Sequence, residues 1–565
     1  MKKLISVLLL LAMLLLALAS CGGKTEETEP PVQTTDGEDA SGKEPETTVT
    51  GTADPWENYG RQVSRRAEFQ RTFTIELSKH SDAEKTSKND RFVAGPDEIQ
   101  PGVTPRLDEY VYERNKKAID LMDLIISYVY WDYDWSKQGD MIKTVVLGNA
   151  KDAPELFVNM IYDLNVATLS GTFKDVRSIP ASYFNFDAQG WMTEWMESLS
   201  VTGDRAYVLG GDYFLDILRA MGVLPVNITL MNANREKLAP AILGSDESLE
   251  ENEKLSIHFF DFVEEGKWTW TTLHDLCEAI WVDVDGNEQD SISDTLGIVA
   301  DNFGGLTSEL YIFSCSGNSI FTVAPVEDPT SEYYEKDWIY YSTDPTALGN
   351  IFDAVTAVYS GHGSLSTTGS FAQTNPDNPG AALHRMKFAE GTLLTAGAVV
   401  LGALEDESFQ TMTDIFTVVP LPKISPENHY NTVIHTIGDA GAINVNTRKA
   451  VAISAFLQYC CEHSSNVRNE FLENVTKFKT TTYDQGTDRM LDLIYDSVIN
   501  GRDKTLEDYA VSDDRLNVIM KKGFCEVPSS TLVTKYEASV SSKQRKLDSI
   551  IRTWYTLPRV EPAGE

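Results

Sequence analysis

Apolar residues follow three different rhythms along this chain. Ile5 through Ala19 is an almost unbroken run of Leu, Ala, Val and Met, opened by Lys2 and Lys3 and closed by Ser20, Cys21, Gly22 and Gly23. A basic start, a short apolar core and small residues at its end predict a secretory signal over residues 1–20. The run is too short for a membrane span, which needs about 20 apolar residues. From residue 22 to about 58 large apolar side chains almost vanish. From about residue 60 onward, short periods of two and of 3.6 take over and predict a folded body.

Within that body, Arg71–Leu77 alternates as a strand. Residues 105–130 carry a helical pattern that ends in Tyr128, Tyr130 and Trp131. Ile142–Leu147, rich in β-branched residues and closed by Gly148-Asn149, is a strand candidate and Glu155–Met160 a stronger one, with helix the alternative for so short an apolar run. Further short apolar strands are expected at Arg205–Leu209, Ile415–Pro420 and Ala442–Val445. Helical patterns separate them at Leu273–Trp281, Thr346–Tyr359 and Arg448–His463. Strands alternating with helices predict α/β lobes with largely parallel sheets. No internal repeat is visible.

Composition sharpens this picture in two places. Between Lys24 and Glu57, ten Asp and Glu face two Lys, a local charge of −8. Such a segment buries too little apolar surface to offset its ordering entropy, so residues 21–60 are expected to form a disordered acidic linker. Across all 565 residues the net charge is −37, which argues against nucleic acid as a partner, since phosphate neutralisation needs clustered Lys and Arg. Six cysteines occur: Cys21, Cys277, Cys315, Cys460, Cys461 and Cys525. None forms a CxxC, and setting Cys21 aside leaves five, so they read as buried thiols and not as a disulfide or metal framework.

Enzyme signatures are missing from the sequence. The eight His form no HExxH and no pair at zinc spacing, and no GxxxxGK[ST] loop occurs. Gly361-His-Gly-Ser364 is not a GxSxG nucleophile elbow. The chain is therefore expected not to be an enzyme. Acidic pairs are so common that two carboxylates for glycosidic hydrolysis remain an open alternative.

The small residues before Cys21 resemble the lipobox of bacterial lipoproteins, which implies diacylation of the Cys21 thiol and cleavage that makes Cys21 the new N-terminus. Later phrases point further. Asp108–Asn115 reads DEYVYERN, Thr202–Asp212 reads TGDRAYVLGGD, and Glu265–Trp270 reads EGKWTW. Phe388-Ala-Glu-Gly391 is followed by Leu393-Leu394, then by Val418-Val-Pro-Leu-Pro-Lys423 and Tyr430. In order and spacing these resemble the extracellular solute-binding proteins of ABC importers, in particular the lipoprotein branch that captures sugars. Two segments depart from that pattern: Gly397–Leu401 is aliphatic where many members carry an aromatic, and Val433–Gly438 lacks a Trp.

The resemblance implies a two-lobed, periplasmic-binding-protein-like (type II) α/β fold with a hinge between lobes. Lobe one would hold 61–228 plus 437–482, and lobe two 229–436 plus 483–565, with crossings near 210–232 and 430–437. It implies a monomer on the extracellular face of the cell membrane, held through the lipid anchor only. That monomer would deliver a solute, an oligosaccharide by the resemblance, to ABC permease subunits. A surface polysaccharide hydrolase and a ligand-sensing lipoprotein without a transporter are the alternatives.

Sugars pair apolar faces with hydroxyls, so a site for them combines aromatic rings with polar groups. The expected ligand-binding residues are Asn159 and Tyr162 at the carboxyl end of a strand, Trp191 near the cleft rim, Asp212 beside the first crossing and Tyr430 beside the return crossing. Packing is the alternative role for Trp191, and helix capping for Asp212. Trp268 and Trp270 are expected to anchor their helix. The stretch Asp283–Asp294 places oxygen ligands at EF-hand spacing: Asp283, Asp285, Asn287, the Gln289 carbonyl, Ser291 and Asp294. Related binding proteins carry similar loops at this place. No cofactor is required by the sequence; a solvated acidic turn is the leading reading of this loop and a calcium site the alternative, because Glu288 stands where the loop needs Gly and Asp294 is shorter than the usual bidentate Glu.

Overall fold

The computed structural model describes residues 56, 69–79, 90–132, 137–245, 248–300, 314–317, 319, 321–342, 345–366, 383–473, 486–499, 501–502, 505–506 and 529–559. All of them fall within one compact unit, Asp54–Glu565. The signal segment, Cys21, Cys525 and all of the acidic linker but Trp56 lie outside the described residues. Trp56, expected in a disordered segment, is instead buried in the body, its indole N–H donating to Glu462 Oε2 at 2.6 Å.

The first part of the body runs β1 (Thr72–Lys79), α1 (Arg106–Met122), β2 (Ile125–Asp132), α2 (Gln138–Leu147), β3 (Leu156–Met160) and α3 (Ile161–Thr168). After a stretch that holds only the short helices Thr193–Ser198 and Asp216–Arg219 and one 3-10 turn come β4 (Gly222–Asn227), then, past the helices Ile228–Ala233 and Arg235–Leu243, α4 (Leu255–Glu264), α5 (Trp270–Ile280) and β5 (Leu296–Ala300). Next are β6 (Phe321–Pro325), β7 (Asp337–Tyr341), α6 (Pro345–Ser360), β8 (Ser364–Ser366), β9 (Leu393–Thr395), β10 (Val399–Val400) and β11 (Phe416–Val419). The chain closes with β12 (Asp439–Ile443), α7 (Ala450–Glu462), α8 (Ser465–Leu472), α9 (Gly486–Asp496) and α10 (Ser529–Thr556).

Two main sheets result. The first has the order β12-β3-β1-β2, and the second β10-β4-β9-β5-β8 with β11 also on β4; β6 and β7 form a separate hairpin. In β1, Phe73, Ile75 and Leu77 are fully buried. Helix α7 is buried on every side from Ala450 to Cys461, as a helix apolar all round must be. Its Cys460 and Cys461 are free buried thiols, as are Cys277 and Cys315, and burial pushes Cys315 and Cys460 up to about 12. Trp268 and Trp270 do anchor their helix: their indole N–H groups donate to the Pro420 carbonyl and Ser316 Oγ, each at 3.0 Å.

Several expected elements differ. The helix expected over 105–130 ends at Met122, where Asp123 takes a left-handed φ of 53° and its N–H returns to the Ile119 carbonyl. The aromatic tail becomes edge strand β2, whose Ile-Ile-Ser-Tyr-Val-Tyr-Trp sequence suits a pleated, half-buried surface. Ile142–Leu147 is helical, not a strand: Ile142 and Val146, four apart, form the inward stripe of α2. Arg205–Leu209 forms no strand, only a bridge from Leu209 to Gly441, and the strand expected from Ala442 starts earlier, at Asp439.

The sheets are mixed. β1 runs parallel to β2 and β3, and β5 parallel to β8 and β9. β12 and β4 run antiparallel to their neighbours. Each of these two follows directly on a passage of chain from one sheet to the other. A strand entering that way starts where the parallel strands end, and so runs back against them. The two passages lie side by side: Gly222 N–H donates to the Val433 carbonyl at 3.0 Å and His435 N–H to the Ala220 carbonyl at 2.8 Å. β4, placed in lobe one by the expected boundary at residue 228, is therefore hydrogen-bonded in the second sheet, and the first passage ends by Gly222.

Candidate functional site

The carboxyl ends of β1 and β3 and the start of β12 converge on a buried polar cluster. Parallel register places Glu76 and Ser78 on the same face of the sheet as Asn159. Glu76 is fully buried, and Asn159 Nδ2 donates to both of its carboxylate oxygens at 3.3 Å. Ser78 Oγ donates to Asp439 Oδ2 at 3.2 Å, and Asp163 Oδ1 accepts from the Gly139 N–H at 3.0 Å. Burial holds the Glu76 carboxyl well above the usual carboxylate range; the Asn159 amide opposes this, while the charges of Asp439 and Asp163 add to it. A carboxyl so placed favours either its protonated form or a hydrogen-bond donor brought to it.

Asn159 thus lies in this cluster. Tyr162, half-buried on the first turn of α3, is next to it and donates its backbone N–H to the Thr436 carbonyl at 3.1 Å, beside the return passage. The structure does not bring the other three expected residues to the same place, because internal partners hold their polar groups. Trp191 is 7% exposed, its indole N–H donates to Gln458 Oε1 at 3.0 Å, and the rings of Phe184 and Phe186 pack edge-on against it. Asp212 is 1% exposed and accepts from Arg468 Nη1 at 3.1 Å and from the Tyr495 hydroxyl at 2.8 Å. The Tyr430 hydroxyl donates to the Val263 carbonyl at 2.8 Å, and the Lys423 ammonium lies 4.6 Å from its ring centroid.

Glu76, Asp163 and Asp439 were missed at the level of sequence. A signal for Glu76 was present, an acid inside an alternating apolar strand where burial is the rule. Asp439 and Asp163 carried none that set them apart in so acidic a chain.

In the acidic loop, Asp283, Asp285 and Asp294 bring one carboxylate oxygen each within 4.8 Å of one another. Asp283 accepts from the backbone N–H groups of Glu288 (2.8 Å), Gly286 (2.6 Å) and Asn287 (3.3 Å), which hold its carboxyl below the usual range, with Glu288 as the largest cause. Asp285 accepts from Ser291 Oγ at 2.9 Å, and Asn287 Oδ1 from the Gln289 N–H at 2.6 Å. Asp294, fully buried, accepts from the N–H groups of Val284 and Ser291. Glu288 takes the turn at φ 58°, a left-handed conformation that Gly adopts more easily. The donor set fits a hard cation. Asp290 turns elsewhere, accepting from the Gly363 N–H at 2.8 Å with His362 beside it.

No protein-family model matches the chain, and no curated protein matches it. Solved structures similar to it include UspC of M. tuberculosis, at 11% identity and a TM-score of 0.48 over 84% of this chain and 100% of that one. The GacH receptor of Streptomyces glaucescens is similar at 10% identity and a TM-score of 0.42, over 86% and 99%. An ABC substrate-binding protein of Listeria monocytogenes in complex with cycloalternan is similar at 12% identity and a TM-score of 0.41, over 85% and 98%. Among the described residues, no helix is long and apolar enough to cross a membrane.

Proposed function

We propose that this chain is a lipid-anchored, extracellular solute-binding protein that captures an oligosaccharide for an ABC importer. The observation that carries the reading is the pair of hydrogen-bonded passages between two α/β sheets, with the carboxyl ends of the parallel strands of both sheets beside it. Ligands of open α/β sheets settle outside those ends. Two such ends joined by one pair of passages make a cleft that can close on a solute by rotation about them. The ordered sequence phrases support the same reading and name the sugar branch.

A thermal-shift screen of glycans tests it. A solute bound only by the native state, at about 100 times its Kd, adds about 2.7 kcal/mol of stability. A rise in melting temperature with oligosaccharides that are recovered intact supports the proposal. Recovery of shortened glycans would make the chain a hydrolase, and a rise with peptides alone would remove sugar from the reading.

The anchor has its own test. Replacing Cys21 by Ser removes the thiol that would carry lipid, so the variant is expected in the medium and not in the membrane fraction. Retention of that variant in the membrane would sink the lipid-anchor reading.

The acidic loop is proposed as a calcium site. Without a cation its three close carboxylates repel one another, and a bound ion reverses that sign. Chelation is expected to lower the melting temperature, and Asp283→Ala to abolish the difference between calcium and chelator. Equal melting of the parent chain under both conditions would leave a solvated acidic turn.

A further inference from the structure

Helix α10 spans 28 residues, about 42 Å at 1.5 Å per residue. Most of it lies on the β6–β7 hairpin and on α6, which in turn packs on β8 of the second sheet. The Tyr536 hydroxyl donates to the Ser342 carbonyl at 2.8 Å. Gln544 donates to the Ile339 carbonyl and accepts from the Tyr341 N–H, both at 2.9 Å. Asp548 accepts from the Trp338 indole at 2.9 Å.

The end of the helix behaves differently. Trp554 is 1% exposed and donates its indole N–H to Thr202 Oγ1 at 3.0 Å, with the Tyr207 ring edge-on at 5.1 Å. Arg205 Nη1 donates to the Trp554 and Leu557 carbonyls at 3.0 and 3.3 Å, and Arg559 pairs with Asp204 at 2.9 Å. This socket belongs to the first sheet's side: the segment that leads into it donates from Lys174 N–H to the Ile443 carbonyl at 2.9 Å, and Leu209 bridges Gly441. The neighbouring Tyr555 meanwhile donates to the Asp337 carbonyl of the hairpin at 2.8 Å. Adjacent residues of one helical turn therefore hold the two sides of the molecule.

We propose that α10 is a strap across the two lobes, latched by Trp554 in the Thr202–Arg205–Tyr207 socket, and that it sets the range over which the lobes move. The socket segment's tie to β12 is the bridge from Leu209 to Gly441, about 7 Å along the strand from Asp439, where the passage ends. Rotation about the passages moves a point at that distance by ångströms, more than hydrogen bonds of 3.0 Å tolerate. Lobe motion must then release the latch or bend the strap.

The test uses the full chain without solute, so its outcome is independent of the solute-binding reading. Spin labels at Lys116→Cys, on α1, and Glu278→Cys, on α5, report the distance between lobes. Trp554→Ala is expected to broaden or shift that distribution while circular dichroism stays unchanged. Thr202→Val removes one acceptor and leaves the packing, and is expected to give a smaller change in the same direction. Distributions that match the parent in both variants would overturn the strap. If Trp554→Ala does not fold, the Thr202→Val distribution alone decides.

Discussion

Replacing Asp212 by Ala is expected to destabilise the folded chain by about 3–5 kcal/mol, the usual cost of removing one partner from a buried ion pair. The carboxylate is 1% exposed, and the Arg468 side chain that donates to it is 19% exposed. Arg468 lies on α8, and its guanidinium sits 4.7 Å from the centroid of the Tyr495 ring on α9. Helix α9 packs against α4 and β11, on the side of the second sheet. Asp212 thus joins α8, which packs on α1, to α9 on the second sheet's side, and its loss leaves a guanidinium and a phenol without this acceptor. Water reaching Arg468 softens the penalty, so the lower end of the range is expected. Asp212→Asn keeps an acceptor for Tyr495 and should lose less. Denaturant unfolding followed by Trp fluorescence reads both variants, and a loss below about 1 kcal/mol for the Ala variant would remove the tie from the account.

Glu76→Gln is expected to do the opposite at neutral pH. Burial raises the Glu76 carboxyl in the folded chain, while in the unfolded chain it titrates near the ordinary value of about 4.3. Between those two points the folded state holds a proton that the unfolded state has released, so stability falls as pH rises through that window. Above the raised value the chain carries a desolvated charge close to Asp439 and Asp163. An amide keeps a hydrogen-bond acceptor for Asn159 and carries no charge. The variant should therefore melt higher than the parent at pH 7.5 and equal it near pH 4. A parent and variant with parallel pH profiles would mean that Glu76 is paired by a group that neutralises it. If the cluster lines the solute site, the same variant also loses affinity, and the two readouts separate stability from binding.

Much of the frame was legible because local signals and tertiary demand agreed. β1, β3, β11, α5, α6 and α7 stand close to where alternation or helical period placed them. The misses have a common cause: apolar residues next to one another satisfy a helix and a strand equally until a partner is known. The β2 segment became a strand because β1 offers it an edge, and Ile142–Leu147 became a helix because its inward stripe meets α3. The site was less legible still. Trp191, Asp212 and Tyr430 are residue types that recognise sugars, yet the same rings and carboxyls also satisfy buried N–H, guanidinium and carbonyl groups, and sequence does not show which demand prevails. Asn159 and Tyr162 were singled out by position, at the end of a strand, and the structure sets Asn159 in the buried polar cluster with Tyr162 on the following turn. The loop at Asp283–Asp294 was readable because its chemistry is local, including the left-handed turn at Glu288.

The return of β12 to the first sheet has a consequence for how the chain assembles. β3 pairs with β12, so the first sheet lacks its fourth strand until roughly 280 further residues have been made. Closing a loop of that length costs on the order of 5 kcal/mol in chain entropy, repaid only when both strands are in place. β4 and its partners in the second sheet are made entirely within that interval. The strands of the second sheet can therefore pair while the first sheet is still waiting, although α9 and α10, which pack on that side, are made only after β12. The half-built first sheet, with the β3 edge bare, is the stage of assembly most exposed to mispairing with another chain.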